Sequence, residues 1–156
     1  MFVDFTTTQN IVDVDPTRVT TIVTCILKEK KVTCDEVSIH FVTSEEITEL
    51  HGEFFDDPTP TDCITFPIDD EDEPEGYKVL GEIFVCPEVA LNYARENDLD
   101  AEEELTLYLV HGLLHLLGYD DIEEEDRAQM REQEAFMMSI LKQKDLILKI
   151  KSKSLS

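Results

Sequence analysis

The pattern of apolar and polar positions changes its period several times along the chain. Alternation over residues 34–42, with Val37, Ile39 and Phe41 on one side, is typical of a β-strand. After Pro16, apolar residues recur three and four positions apart, which predicts a helix with proline in its first turn. By the same criteria, further short strands are expected around residues 2–5, 61–67 and 81–85.

Helical periodicity dominates the second half of the chain. Asp100 with Glu103 has the spacing of side chains that cap the start of a helix, and in the first half Thr43 with Glu46 has the same spacing before a helix expected through Ile47 and Leu50. The helices expected in this half run from Pro87 to about Asn97, from Asp100 to Gly118, and from about Glu123 to Leu148. Because strands and helices mix without a regular alternation, the expected fold class is α+β.

The chain has 156 residues, a length that predicts one domain with a complete hydrophobic core. We expect this domain to span residues 1–156, with residues 149–156 forming a flexible basic tail. Hydrophobic residues make up 42% of the sequence, which is too many for intrinsic disorder. Since no apolar run approaches the roughly 18 residues of a membrane span, a soluble globular protein is expected.

Cysteine usage and the first residues both favour the cytoplasm. Cys25, Cys34, Cys63 and Cys86 are far apart and form no CxxC pair, which favours free thiols over a disulfide framework or a thiolate zinc site. The chain begins without the basic start and apolar stretch of a signal peptide. We therefore expect a cytoplasmic protein.

Negative charge is concentrated in the middle of the sequence. The chain has 13 Lys and Arg against 36 Asp and Glu, a formal net charge of −23. Residues 44–134 hold 29 acidic and 4 basic residues, whereas the remainder has 7 acidic and 9 basic residues. Such acidity opposes broad binding to nucleic acid or anionic membranes, because phosphates are held mainly by Lys and Arg. A polyanion would have to approach one of two basic clusters, at Lys28–Lys31 or Lys142–Lys153, each of which is also typical of a solvated helix end or tail.

Candidate chemistry lies between His111 and Asp121. Histidines four residues apart on a helix project from one face, so His111 and His115 can bind one zinc ion at about 2.0–2.1 Å. Gly118 can end the helix in a left-handed conformation and turn the chain back, bringing Asp120 or Asp121 towards the metal. The spacing His-x3-His-x2-Gly-x2-Asp matches the metzincin layout, with Asp121 in the place of the last histidine. Two histidines and a carboxylate leave a fourth zinc position open, as in catalytic sites.

The spacing does not by itself predict a protease. Metalloproteases carry Glu directly after the first histidine as their general base, whereas this chain has Gly112. The alternative hypothesis involves no metal: His111 and His115 pack in a leucine-rich helix, and Gly118 ends that helix.

From His111 to Asp121 the chain resembles the YbeY family of bacterial metal-dependent endoribonucleases, also described as ribosomal RNA maturation factors. The family signature HGxLHLxGYDH is matched at every fixed position except the last, where Asp121 replaces His. Residues 60–67, PTDCITFP, are similar to the family's PTDVLSFP, and residues 81–83 stand where the family has GDI. The resemblance covers most of the chain in order and length.

The resemblance implies a small mixed sheet packed among helices, with one zinc ion held by His111, His115 and Asp121 at the floor of a cleft. We expect Asp62 or Asp120 to orient water or a ligand imidazole, although Asp62 also suits a turn residue bonded to backbone.

The sequence departs from the family at a second position. Phe55 stands where the family has Arg, the natural clamp for a phosphoryl oxygen.

The activity that the resemblance implies is zinc-dependent cleavage of single-stranded RNA and processing of small-subunit ribosomal RNA ends. The expected partners are ribosomal RNA and the small ribosomal subunit or its proteins, but neither membranes nor DNA. A second hypothesis, favoured by Phe55 and the acidic middle, is a ribosome-associated assembly factor with weak or no nuclease activity. A third, a hydrolase for another substrate with the same zinc layout, is opposed by Gly112.

Overall fold

Helices and strands follow one another in an irregular order. The computed structural model describes residues 1–55, 63–68, 76–120 and 122–152, with side chains except at residues 53–55 and 152. Within these ranges the elements are β1 (Phe2–Thr7), β2 (Val12–Val14), α1 (Pro16–Glu29), β3 (Glu36–Phe41), α2 (Ser44–Phe55), β4 (Cys63–Pro67), β5 (Val79–Val85), α3 (Pro87–Glu96), α4 (Ala101–Leu116), α5 (Glu124–Gln143) and β6 (Ile150–Ser152). The expected α+β class is confirmed.

The two capping pairs expected from the sequence are both formed. Thr43 Oγ1 accepts a hydrogen bond from the Glu46 amide at 3.1 Å, and Glu46 Oε1 accepts one from the Thr43 amide at 3.2 Å. Asp100 Oδ1 accepts from the Glu103 amide at 3.0 Å. The first-turn amides of a helix have no intrahelical acceptor, so these side chains determine where α2 and α4 begin.

The main sheet has four strands in the order β1-β3-β5-β4. Its first three strands are parallel, and β4 joins the edge antiparallel to β5. Parallel neighbours need a long crossover, which α1 provides between β1 and β3 and which α2 and β4 provide between β3 and β5. The sheet is therefore small and mixed, as the resemblance implied.

The core lies between the inner face of this sheet and α1, α4 and α5. Val19, Ile22, Val23 and Ile26 of α1 are all fully buried, at the helical spacing seen in the sequence. α2 covers the opposite face of the sheet, where Ile47 is buried in a smaller apolar cluster. Each such side chain gains about 1.5–3 kcal/mol from leaving water, so burial sets the position of both helices.

α4 is the central helix of the molecule. It contacts α1, α3, α5 and the strands β4 and β5. The buried residues of α4 are Leu105, Thr106, Tyr108, Leu109, Val110, Gly112, Leu113, Leu114 and Leu116. A helix that is apolar around most of its circumference must be covered on most sides, and the elements around α4 do so. In the described parts of the chain, no helix is both long and apolar enough to span a membrane.

The final helix ends earlier than the sequence predicts. α5 stops at Gln143, although Leu146 and Leu148 continue the apolar pattern. The break lies at Asp145, whose φ of 55° is left-handed and ends the helical run. Residues 150–152, expected in a flexible tail, form β6 instead, antiparallel to the equally unexpected β2. The prediction of a helix to Leu148 was therefore wrong.

Polar side chains of α1 and α4 fasten this C-terminal segment. Arg18 donates from Nε to the carbonyl of Ile147 and from Nη2 to that of Asp145, both at 2.6 Å. Thr106, which has no solvent exposure, accepts the Leu148 amide on Oγ1 at 2.9 Å. The segment after α5 is thus held by side-chain to backbone hydrogen bonds.

Replacing Thr106 by Val tests this attachment. Valine leaves the buried Leu148 amide without its acceptor, so the free energy of unfolding is expected to fall by about 1–3 kcal/mol. Thr24→Val is the control, because Thr24 and Thr106 both donate from the hydroxyl to the carbonyl four residues earlier in their helices, but Thr24 is exposed and accepts no amide from the described C-terminal segment. Its effect should stay below about 0.5 kcal/mol. Urea denaturation measures both, and equal losses would contradict the role given to Thr106.

Candidate metal centre

The two histidines of the motif lie on the last two turns of α4. Residues four apart on a helix share a face, and His111 and His115 are half-buried while most of the helix around them is fully buried. The packing of α4 therefore leaves one row of side chains open, and the histidines occupy it.

The imidazoles converge at their outer nitrogens. His111 Nε2 and His115 Nε2 are 3.0 Å apart, with ring centroids at 4.5 Å and ring planes at 83°. Two nitrogens bound to one zinc ion at about 2.0–2.1 Å in tetrahedral geometry are about 3.4 Å apart, so a small opening of this pair suits the ion. Neutral imidazole is also a preferred zinc ligand. The donor pair thus fits zinc.

A carboxylate approaches His111 from the other side of its ring. Glu134 Oε1 of α5 lies 3.6 Å from His111 Nδ1, and the two side chains are 16% and 23% exposed. This separation is longer than a hydrogen bond. It nevertheless places a shielded acceptor next to the nitrogen that faces away from His115.

The turn that follows α4 has the form expected at Gly118. Gly118 has a φ of 102°, and its amide donates to the His115 carbonyl at 3.1 Å. The Tyr119 amide donates back to the Leu114 carbonyl at 3.0 Å. These two bonds form a Schellman motif, which ends a helix and reverses the chain. The predicted end of the helix at Gly118 is confirmed.

Lys30 anchors the residue after this turn. It follows the end of α1, and its Nζ lies 3.3 Å from the Tyr119 hydroxyl and 5.0 Å from the centre of that ring. Nζ also donates to Gln133 Oε1 and lies 5.9 Å from the ring centre of Phe136, both on α5. Lys30 therefore joins α1, α5 and the segment that leads towards Asp121. It is not simply a solvated helix-end lysine.

Gly112 explains why α4 can pack so closely on the sheet. A Cβ at this position would stand 2.7 Å from Ile83 Cγ2 and 2.9 Å from Cys63 Sγ. Real side chains do not approach at such distances, so nothing larger than hydrogen fits. A glutamate directly after the first histidine, as in metalloproteases, has no room here.

The remaining predicted site residues are only partly described. Asp120 is exposed at the end of the reversed segment. Asp121 and Asp62 lie outside the described residues, as does the side chain of Phe55, whose backbone is the last residue of α2. Among the residues that are described, no third His, Cys, Asp or Glu side chain joins the two imidazoles in a group able to hold a metal. The ligand role of Asp121 stays a prediction.

Sequence reasoning missed the contact between Glu134 and His111. The signal was available, because Glu134 shares a helix face with Met130, Met137 and Leu141, which are all buried. An acidic residue within an apolar stripe predicts a partner on the element that this stripe covers. Nothing in the sequence, however, identified His111 as that partner.

Known proteins resemble this chain over nearly its whole described length. The family model described as endoribonuclease YbeY matches residues 4–142. Endoribonuclease YbeY of Protochlamydia amoebophila (strain UWE25) is 54% identical over 124 residues, which cover 80% of this chain and 82% of that protein. Endoribonuclease YbeY of Chlamydia muridarum (strain MoPn / Nigg) is 40% identical over 141 residues, covering 90% and 88% respectively.

A solved structure resembles the fold. The solution structure of TM1509 from Thermotoga maritima matches with a TM-score of 0.59 at 30% identity, covering 88% of this chain and 87% of that one. The α+β arrangement described above is therefore shared with a protein studied in solution.

The close packing at Gly112 reverses the usual effect on stability of replacing Gly by Ala in a helix. In an unconstrained helix, replacing Gly by Ala stabilises by about 1 kcal/mol. Here the added methyl group overlaps Ile83 and Cys63, so we expect Gly112→Ala to lower the free energy of unfolding by about 1–3 kcal/mol. Thermal and urea unfolding measure the change. A stabilised Gly112→Ala variant would show that α4 and the sheet do not meet at this distance.

Proposed function

Because this chain belongs to the endoribonuclease YbeY family, it is a hydrolytic nuclease, and we propose that it depends on zinc and cleaves single-stranded RNA during maturation of small-subunit ribosomal RNA. The observation that carries the zinc dependence is the convergence of His111 Nε2 and His115 Nε2 to 3.0 Å. The substrate and the ribosomal role rest on the family resemblance. Cys25, Cys34 and Cys86 form no disulfide, which supports placing this work in the reducing cytoplasm.

In this proposal His111, His115 and Asp121 hold the ion. The chain reversal at Gly118, three residues before Asp121, supports the third ligand because it turns the backbone from the end of α4. When bound, zinc supplies a Lewis acid for a phosphoryl oxygen and makes water more acidic near neutral pH. A carboxylate ligand makes that acidification weaker than three neutral imidazoles would.

The chain itself supplies orientation. Asp120 is exposed two residues after the turn, where its carboxylate can accept a proton from water near the site. Cys63, the sequence neighbour of Asp62, lies against Gly112, which follows His111 in the chain. That contact supports a place for Asp62 in the same site, orienting water or a ligand imidazole.

RNA is proposed to approach from the end of α1. Lys30 contacts Tyr119 of the motif, and its neighbours Lys28 and Lys31 are exposed. The lysines of the C-terminal segment lie elsewhere, because the amide of Ile150 bonds to Glu102 in the first turn of α4. At about 1.5 Å per residue, that turn is roughly 13–20 Å along the helix from the histidines.

The assembly-factor hypothesis remains a second candidate. Phe55 provides neither the charge nor the bidentate hydrogen bonds of the Arg that the family carries at this position. The net charge of −23 also opposes tight RNA binding by the chain alone. A protein that binds the ribosome without cutting RNA would need neither the histidine pair nor its metal.

Substituting both histidines tests the metal and the catalysis. His111→Ala combined with His115→Ala removes both described imidazole donors, so we expect zinc to fall from one per chain to near zero. Cleavage of a single-stranded RNA should fall by about 10³-fold, the scale of several kcal/mol of lost charge stabilisation. Metal analysis and a gel-based cleavage assay measure the two effects.

His40→Ala is the matched control. His40 lies in β3, where it stacks on Phe84 and hydrogen-bonds to Thr6. It should keep both zinc and activity, and chelator treatment of the wild-type protein should abolish activity until zinc is restored. If ribosomal RNA maturation in cells continues with both motif histidines replaced, catalysis at this site is excluded and the assembly-factor hypothesis stands.

Substituting Lys28 and Lys31 tests whether RNA binds at the end of α1. Lys28→Ala with Lys31→Ala should weaken RNA binding and reduce the slope of log K against log salt by about 1.4, since each lost phosphate contact on a single strand accounts for about 0.7. Lys149→Ala with Lys151→Ala is the control and should leave the slope unchanged. Filter binding at several salt concentrations measures the slopes, and the opposite result would place RNA at the C-terminal flank.

A further inference from the structure

Glu134 occupies a position on α5 where an apolar residue would be expected. Met130, Met137 and Leu141 are buried on α5. Glu134 follows Met130 by four residues and precedes Met137 by three, so it lies on the same face of the helix. Its side chain is 16% exposed, and Oε1 lies 3.6 Å from His111 Nδ1. Carboxylates are rarely shielded to this degree without a partner, which indicates a specific role for the contact.

The charge of the Glu134 carboxylate favours one position for the hydrogen on the His111 ring. A neutral imidazole has one N–H and one lone pair, and an ionised carboxylate only accepts hydrogen bonds. Glu134 therefore favours the tautomer with hydrogen on Nδ1, which leaves the Nε2 lone pair directed towards His115. In the 3.0 Å contact between the two Nε2 atoms, His115 Nε2–H then donates a hydrogen bond to His111 Nε2.

We propose that Glu134 is a positioning residue that holds His111 in the tautomer and orientation required to bind zinc through Nε2. This inference rests on the zinc site of the proposed function. A carboxylate or carbonyl behind a metal-binding histidine fixes the ring and raises its basicity. Glu134 does so from a different helix, so the position of α5 affects the metal site on α4.

The surroundings keep Glu134 in place. The preceding residue, Gln133, accepts a hydrogen bond from Lys30, which also contacts Tyr119 of the motif. Met130 and Met137 are fixed in the core on either side. α5 thus meets α4 at a rigid junction rather than through a free surface side chain, which is what a positioning role needs.

Zinc affinity is the first measurement. Glu134→Leu removes the acceptor, so we expect zinc to bind about 10–100-fold more weakly, measured by competition with a chromophoric chelator. Glu134→Gln keeps an acceptor oxygen without the charge and should lose less. Glu132→Gln makes the same charge change at an exposed position of α5 and is expected to match the wild-type protein.

The tautomer of His111 is the second measurement, and it requires no metal. Imidazole ¹⁵N spectra of the zinc-free protein distinguish hydrogen on Nδ1 from hydrogen on Nε2 of a neutral ring. We expect hydrogen on Nδ1 of His111 in the wild-type and Glu132→Gln proteins, and a shift towards Nε2 in Glu134→Leu. A merely structural role for Glu134 would not move this signal.

The two measurements separate the two proposals. If the wild-type protein binds no zinc, the zinc site of the proposed function fails, and the tautomer alone decides the role of Glu134. If Glu134→Leu binds zinc as tightly as Glu132→Gln does and the tautomer of His111 is unchanged, the positioning role is overturned.

Discussion

Contact between α4 and the main sheet at Gly112 is the constraint on which the candidate site depends. Ile83 and Cys63 fill the space in which a side chain of this residue would stand. The helix is consequently held at backbone distance from β4 and β5, with its apolar residues covered by the sheet and by neighbouring helices. In the described structure, His111 and His115 are the half-buried positions of the last two turns of α4, whose other residues are buried. One glycine therefore both completes the core and excludes the glutamate base that would make the site a protease.

Cations are scarce in this chain, and one of them is used internally. Lys30 binds Gln133 and Tyr119 and lies near the rings of Tyr119 and Phe136. Its charge stabilises the junction of α1, α5 and the turn after α4. In a chain with a net charge of −23, recruitment of a polyanion must then depend on the few exposed lysines and arginines or on a partner that provides positive charge.

The sequence predicted those features whose causes are local. The caps at Thr43 and Asp100 and the helix end at Gly118 follow from side chains within a few residues of the backbone groups that they satisfy. The pairing of His111 with His115 follows from helix geometry alone. These elements and the α+β class were accordingly correct.

The features that the sequence did not predict depend on contacts between distant segments. Leu148 continues the pattern of α5, but its amide bonds to Thr106 and its segment leaves the helix. β2 and β6 have three residues each, which is too short for a periodic pattern, and each exists because the other lies beside it. The approach of Glu134 to His111 depends on how α5 packs on α4. The pattern of α5 therefore indicated that Glu134 has a partner, but it could not identify His111 as that partner.

The pairing of β2 with β6 also sets an order of events during protein synthesis. β1, α1 and β3 lie within the first 41 residues and can assemble early, whereas β2 pairs, among the described residues, with a strand that is made only after α5. The histidine pair on α4 is likewise made before α5, which carries its carboxylate. A nascent chain therefore has both imidazoles before it has α5 and β6, and a ribosome that stalls within α5 would hold a chain that lacks both the remainder of α5 and the strand that pairs with β2.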